Sequence, residues 1–166
     1  KKDKIIAAFK ADSIKDLDRK RAKCLEDINI YAWAVAANAL NPIPCVDVSF
    51  DLTAFYKMAK KIRESFGLDE TVIEKYMTVL GPVGKQLADK VLAYLTEEGI
   101  MLVLKQVAGR YAKKQWLKYI PYVGQVVAAC AGFAMTKNLG KYYIDNCFEL
   151  AKEILEYEVM NNKDKM

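Results

Sequence analysis

Two segments without Asp, Glu, Lys or Arg, Ile28–Val46 and Tyr119–Thr136, limit the possible folds of this chain more than any other feature. Each is close to the roughly 20 residues of a helix that crosses a bilayer. Proline interrupts both segments, at Pro42 and Pro44 in the first and at Pro121 in the second. Because proline lacks an amide hydrogen and disfavours helix in the residue before it, we predict a break in the helical structure at each Ile-Pro pair.

Small residues recur every fourth position inside these segments, at Ala32 and Ala36 in the first and at Gly124, Ala128 and Gly132 in the second. Such a ridge lets two helix backbones approach closely, in water as well as in lipid. The spacing therefore predicts two central, mutually packed helices, with Gly124 belonging to the break that follows Pro121. A membrane-inserting hairpin and a partner-binding surface stay open as alternatives.

The rest of the chain has helical periodicity, and no stretch has the alternation of a strand. We predict an all-α fold, a single helical bundle of six to seven helices over residues 1–166, with residues 1–11 as a short separate helix or a frayed start. Ser13 is the predicted N-cap of the first long helix, Gly67 the C-cap of the second, and Asp69 the N-cap of the third. Further helices are predicted from about Pro82, over 97–116, over 123–139 and over 141–160.

The first two predicted helices each have an apolar face and a charged face. The first helix has an apolar stripe that Arg21 interrupts once, and its members are Ile14, Leu17, Cys24, Leu25, Ile28 and Tyr31 or Ala32. The second helix has a predicted buried face with Phe55, Ala59 and Ile62. Arg63 falls on its predicted outer face, together with Lys57, Lys60 and Lys61.

The residues needed for common catalytic sites are absent. The chain has no histidine, which excludes His-based triads and His-ligated zinc. Its four cysteines are widely spaced; a four-thiolate zinc site is conceivable, but the spacing favours buried free thiols in a reducing compartment. The segment Gly81–Gln86 has neither the glycine spacing nor the hydroxyl residue of a phosphate-binding loop. We therefore predict no catalytic residue, no metal site and no cofactor in this chain.

The net charge of +5 is unevenly distributed. Residues 1–23 hold nine Lys or Arg and four Asp or Glu, and a second basic run over 105–118 has no acid. Such runs suit an anionic membrane or an acidic protein face. They do not predict nucleic-acid binding, because aromatic residues for base stacking are nearly absent from the first run. The candidate membrane or partner contacts are Lys105, Arg110, Lys113, Lys114 and Lys118.

Four motifs follow one another in the order NPIPCVDVSFDL, YKMAKKIRESFGLDETVIEKY, LKYIPYVGQVVAACAGFAMTKNLGKYY and CFELAKEILEYE. In order and spacing they resemble the C-terminal helical region of the interferon-inducible, immunity-related GTPases, from about Asp12 to Glu158. A looser resemblance is to an uncharacterised bacterial helical domain that accompanies GTPase modules.

The resemblance implies a dynamin-like protein of innate immunity that assembles on the membranes of pathogen-containing vacuoles. It implies that this chain is the non-catalytic regulatory and membrane-association module, which relays the nucleotide state of a GTPase domain lying outside the chain. GTP and magnesium are expected only for that domain. The expected partners are its own GTPase domain, an anionic membrane surface and a second copy, and the expected location is the cytoplasm or the periphery of intracellular or vacuolar membranes. The alternative is a protein-interaction or self-association bundle with no lipid role.

Overall fold

The computed structural model describes residues 1–39, 52–96, 98–100, 102–103 and 123–165. These residues form five α-helices, α1 (Lys2–Ala39), α2 (Leu52–Ser65), α3 (Glu70–Met77), α4 (Pro82–Leu92) and α5 (Val123–Lys165), with a 3-10 helix over Ala93–Leu95 after α4. Residues 98–100 and 102–103 are also helical. The described residues contain no strand, and the all-α prediction is confirmed for them.

The two longest helices, α1 and α5, pack side by side as an antiparallel pair. Three contacts along the pair show its direction: Ile28 lies against Gly140, Arg21 pairs with Asp145, and Lys10 pairs with Glu156. At about 1.5 Å per residue, each helix extends roughly 55–65 Å. The first and last described helices therefore form a long antiparallel pair, which we call the hairpin although other helices lie between them in the chain. Residues 1 and 165 lie near the same end of this pair, which we call its open end.

Gly140 lies within α5, although the sequence predicted two helices, one over 123–139 and one over 141–160. The structure contains a single helix across this glycine, so the predicted break is wrong. The reason is packing: a Cβ atom at position 140 would overlap the side chain of Ile28 on α1. Glycine here allows close contact between two helices and does not end one.

The shorter helices α2, α3 and α4 form a second layer, in which α2 and α4 pack on α5. The turn from α2 to α3 is closed as predicted. Gly67 has a φ of +69°, and the N–H of Leu68 donates to the carbonyl of Arg63 at 3.0 Å, which is the Schellman ending of a helix. Asp69 then caps α3 by accepting a hydrogen bond from the N–H of Val72 at 2.8 Å.

The predicted apolar stripe of α1 is confirmed. Leu17, Cys24, Ile28 and Ala32 are buried, and Leu25 and Tyr31 pack at the edge of the core. Arg21 interrupts the stripe because it reaches α5, where its Nη2 lies 2.7 Å from a carboxylate oxygen of Asp145. Its guanidinium also lies 5.5 Å from the centre of the Phe148 ring, within the range of a cation–π contact.

Two further predictions are wrong. The helix does not begin at Ser13, because α1 is continuous from Lys2, and residues 1–11 are neither a separate helix nor a frayed start. Arg63 does not lie on an outer face, because only 6% of its surface is exposed. The neighbours of Arg63 on α2 are exposed lysines, whereas its own side chain is buried near Tyr143 on α5.

Candidate docking groove

An open groove of about 670 Å³ lies between the N-terminal half of α1, the C-terminal half of α5 and the turn that joins α2 to α3. Gly67 lines it, so the left-handed turn described above also shapes one wall. The floor is apolar, and it is lined by Phe9, Leu17, Phe66, Val72, Ile154 and Leu155. A concave, mostly apolar surface between helices is a common form of a binding site for another polypeptide.

The rim of the groove is acidic. Asp12 and Asp16 lie one turn apart on α1, Glu158 lies on α5, and Arg19 is the basic residue among the lining side chains. Asp16 also pairs with Lys20 at 3.1 Å, and both of these side chains are more than two-fifths exposed. The rim therefore favours a partner that presents positive charge next to apolar side chains.

Glu158 also connects the groove wall to α3. The Tyr76 hydroxyl donates a hydrogen bond to the Glu158 carboxylate. This hydrogen bond to an ionised partner is the main reason that the pKa of Tyr76 is raised to about 12. The ring of Tyr76 meets the ring of Tyr157 edge to face, with 6.0 Å between centroids. Glu158 is thus held in place on the rim by an element that does not belong to the hairpin.

Exposed apolar side chains extend from the groove toward the open end of the hairpin. Ile5 is 62% exposed, Phe9 is 56% exposed and Met160 is 69% exposed. The antiparallel register of α1 and α5 places position 160 beside the first turns of α1. Adjacent exposed apolar residues of this size mark an interaction surface more often than an ordinary solvated face.

Apart from Gly67, the site residues that the sequence predicts lie away from the groove or outside the described residues. Of the helix-packing residues, Ala32 is fully buried on α1. Ala36 belongs to α1, and Ala128 and Gly132 belong to α5. Gly124, predicted as part of the break after Pro121, lies in the first turn of α5; only the backbone of these four residues is described. Outside the described residues lie the breaks Pro42, Pro44 and Pro121 and the basic contacts Lys105, Arg110, Lys113, Lys114 and Lys118.

The groove was missed at the level of sequence because its parts lie far apart in the chain. Phe9 belongs to residues 1–11, which the sequence predicts as a short separate helix or a frayed start. Leu155 belongs to the apolar face of the predicted last helix. The one available signal was the apolar run IIAAF at residues 5–9, set among lysines.

Within the described ranges, no helix is both long enough and apolar enough to cross a bilayer. Over the same residues, no three Cys, Asp or Glu side chains come together as metal ligands would. Cys24 and Cys147 are buried free thiols, as predicted for these two positions.

Comparison with protein-family models, curated proteins and solved structures finds no match to this chain. Its function is therefore inferred from the residues themselves and from the motif resemblance described above. The fold and the groove define the class in physical terms: a helical hairpin with a second layer and an acidic-rimmed apolar groove at its open end.

Proposed function

We propose that this chain is a non-catalytic helical docking module. In line with its motif resemblance, it would be the regulatory and membrane-association part of an immunity-related GTPase, relaying nucleotide state and supporting assembly on vacuole membranes. The observation that carries the docking role is the apolar groove with its acidic rim. A cationic amphipathic segment of the protein's own GTPase domain is the partner that this surface would accept.

The membrane part of the proposal depends on the basic run over 105–118. Each basic residue near an anionic surface contributes about 1 kcal/mol, and this attraction weakens as salt rises. Flotation with phosphatidylcholine vesicles, with and without phosphatidylserine, tests this part. We expect binding that requires phosphatidylserine, that high salt removes, and that is lost when Lys105, Arg110, Lys113, Lys114 and Lys118 are replaced by Glu.

The matched control is a charge reversal of equal size in the described part of the chain. Lys57, Lys60, Lys85, Lys90 and Lys75 supply five lysines on α2, α3 and α4, and their replacement by Glu should affect flotation much less. Flotation that is independent of phosphatidylserine, or that falls equally in both variants, would refute the membrane role. The docking role would then depend on the groove alone.

A second candidate, self-association without a lipid role, is favoured by the composition of the first turns of α1. The segment KKDKIIAAFK combines four lysines with the exposed side chains of Ile5 and Phe9. It lies next to a groove whose rim carries Asp12, Asp16 and Glu158. One surface thus contains both a cationic apolar segment and an acidic apolar groove, as a two-fold contact between identical copies requires.

Sedimentation velocity over a range of protein concentrations tests this candidate. It predicts a dimer that Phe9→Glu dissociates, because the substitution places a like charge near the acidic rim. Val83→Glu is the control, since Val83 is 62% exposed on α4, away from the groove. A wild-type chain that remains monomeric, or a dimer that both variants weaken equally, would contradict it.

A further inference from the structure

Four polar side chains from three elements are buried where α2 and the 3-10 helix meet α5. Arg63 comes from α2, Tyr94 from the 3-10 helix, and Tyr143 and Asn146 from α5. Their exposed fractions are 6%, 1%, 0% and 7%, in that order. We call these four residues the buried polar cluster.

The members of the cluster lie close together. The rings of Tyr94 and Tyr143 are stacked with 4.2 Å between centroids. The Tyr143 hydroxyl lies near both the guanidinium of Arg63 and the thiol of Cys147. Burial raises the pKa of the hydroxyl and of the thiol, and the charge of Arg63 lowers each pKa by a smaller amount. Asn146 is three residues after Tyr143, which places the two side chains on neighbouring positions of one helix face.

The unpartnered atoms in the cluster share one chemical property: each can donate a hydrogen bond. They are Nε and Nη1 of Arg63, Nδ2 of Asn146 and the hydroxyl oxygens of Tyr94 and Tyr143, all buried and without a hydrogen-bond partner in the part of the chain that the structure describes. The nitrogen atoms can only donate, and a phenol hydroxyl can do so. Three nitrogen donors, two on Arg63 and one on Asn146, therefore have no acceptor among the described residues.

The described residues also supply no negative charge to balance Arg63. A guanidinium remains protonated in proteins, and a buried charge without a counter-charge is strongly destabilising. Within the described residues, no acidic side chain forms an ion pair with Arg63, whereas Arg21 has Asp145. A single buried positive charge next to unpartnered donors is complementary to a single negative charge that accepts several hydrogen bonds.

We propose that the buried polar cluster is an internal binding site for one small monovalent inorganic anion of the halide class. Arg63 supplies the charge, Tyr143 and Asn146 donate hydrogen bonds, and Tyr94 closes the site by stacking on Tyr143. The anion would connect α2 and the 3-10 helix to α5, and it would stabilise the second layer on the hairpin. This inference is independent of the docking groove.

Chloride NMR line broadening in a titration of the protein tests the site with chloride as the probe. The wild-type chain should broaden the chloride signal saturably, and bromide should compete. Tyr143→Phe keeps the ring and removes one donor, so it should weaken the apparent affinity by about tenfold. Arg63→Met should abolish the effect, and Lys57→Met, an exposed cation on the same helix, should leave it unchanged.

Two outcomes would overturn the proposal: the absence of saturable broadening in the wild-type chain, or an affinity that Tyr143→Phe leaves unchanged. The second remains decisive if Arg63→Met does not fold. Bromide anomalous scattering from crystals gives an independent answer. A peak within hydrogen-bonding distance of Nη1 of Arg63 supports the site, and a carboxylate of the chain in that position refutes it.

Discussion

Two arginines that approach α5 from different sides show how differently its two contact regions are built. Arg21 crosses the seam between α1 and α5, pairs with Asp145 at 2.7 Å and lies over the ring of Phe148; its side chain is 37% exposed. Arg63 enters from the second layer, is almost completely buried, and has no acidic partner in the described parts of the chain. The seam thus contains its own ion pair, whereas the second layer buries a charge to which the described residues supply no acidic partner.

From this difference we expect the stability of the α1–α5 seam to be independent of the anions in solution, and the stability of the second layer to depend on them. The α1–α5 seam depends on apolar contact and on the close approach at Gly140, and neither is sensitive to salt. If the proposed anion balances the charge of Arg63, the stability of the second layer should vary with the anions present. The four variants below test this contrast, from the largest expected effect to the smallest.

Gly140→Val should break the seam. A side chain at this position must displace Ile28 of α1, and overpacking of this kind costs about 3 kcal/mol. Urea unfolding should therefore show a large decrease in the free energy of unfolding. Gly81→Ala is the control, because nothing lies within 4 Å of a Cβ atom at position 81. Equal effects of the two substitutions would show that the seam is not closely packed at Gly140.

Arg63→Met should either raise or lower the free energy of unfolding, depending on which anion the buffer contains. Where chloride is replaced by a large organic anion, removal of an unbalanced buried charge should be neutral or stabilising, by about 2 kcal/mol at most. In chloride the same substitution should destabilise the protein, because the bound anion loses its partner. Thermal unfolding in the two buffers at equal ionic strength measures the difference. An identical effect in both would mean that no small anion balances Arg63.

Alkaline pH should weaken the second layer through Cys147. Burial raises the pKa of this thiol from 9.0 to about 12, so the folded state retains a proton that the unfolded chain releases. The contribution of Cys147 is fully present below pH 9 and is lost as the pH rises toward 12, at up to about 1.4 kcal/mol per pH unit. Cys147→Ala should make the decline of the unfolding free energy above pH 9 shallower by that amount.

Leu150→Ala is the control for this titration. It also removes a buried side chain, but it removes no titrating group, so it should lower stability by the same amount at every pH. A slope that Cys147→Ala leaves unchanged would show that the thiol is not protected from ionisation in the folded protein.

Asp145→Asn should have the smallest effect. The Arg21–Asp145 pair is more than one-third exposed on both sides, and such pairs contribute about 0.5 kcal/mol. Chemical denaturation at low and high salt measures the loss, which should shrink as salt rises. A loss as large as that of Gly140→Val would mean that charge pairing, and not close packing, holds the seam together.

Periodicity and capping residues were sufficient to predict much of this fold. The stripe from Leu17 to Ile28, the ending of α2 at Gly67 and the cap of α3 at Asp69 all depend on local patterns, and all are confirmed. The errors arose where a distant residue decides the outcome. Gly140 looked like a helix end because its contact, Ile28, lies more than a hundred positions earlier, and Arg63 looked exposed because its neighbours on α2 are lysines.

The docking groove could not be predicted for a related reason. Its walls come from α1, α5 and the α2–α3 turn, and the chain brings them together only through the long hairpin. Composition showed that residues 1–23 are basic, but it could not show that Asp12 and Asp16 share a rim with Glu158. The basic run over 105–118 lies outside the described residues, so its membrane role stays a prediction.

Zero-length carbodiimide crosslinking, which joins carboxylates to lysines in direct contact, tests the docking claim most directly. It should be applied to the chain at increasing concentration, with and without the GTPase domain proposed as its partner, and the joined peptides should be identified by mass spectrometry. The account predicts that Asp12, Asp16 and Glu158 form crosslinks to lysines of a second copy or of the proposed GTPase domain, and that Phe9→Glu removes them. Rim crosslinks no more frequent than those of Glu70 and Glu74 on α3 would contradict it.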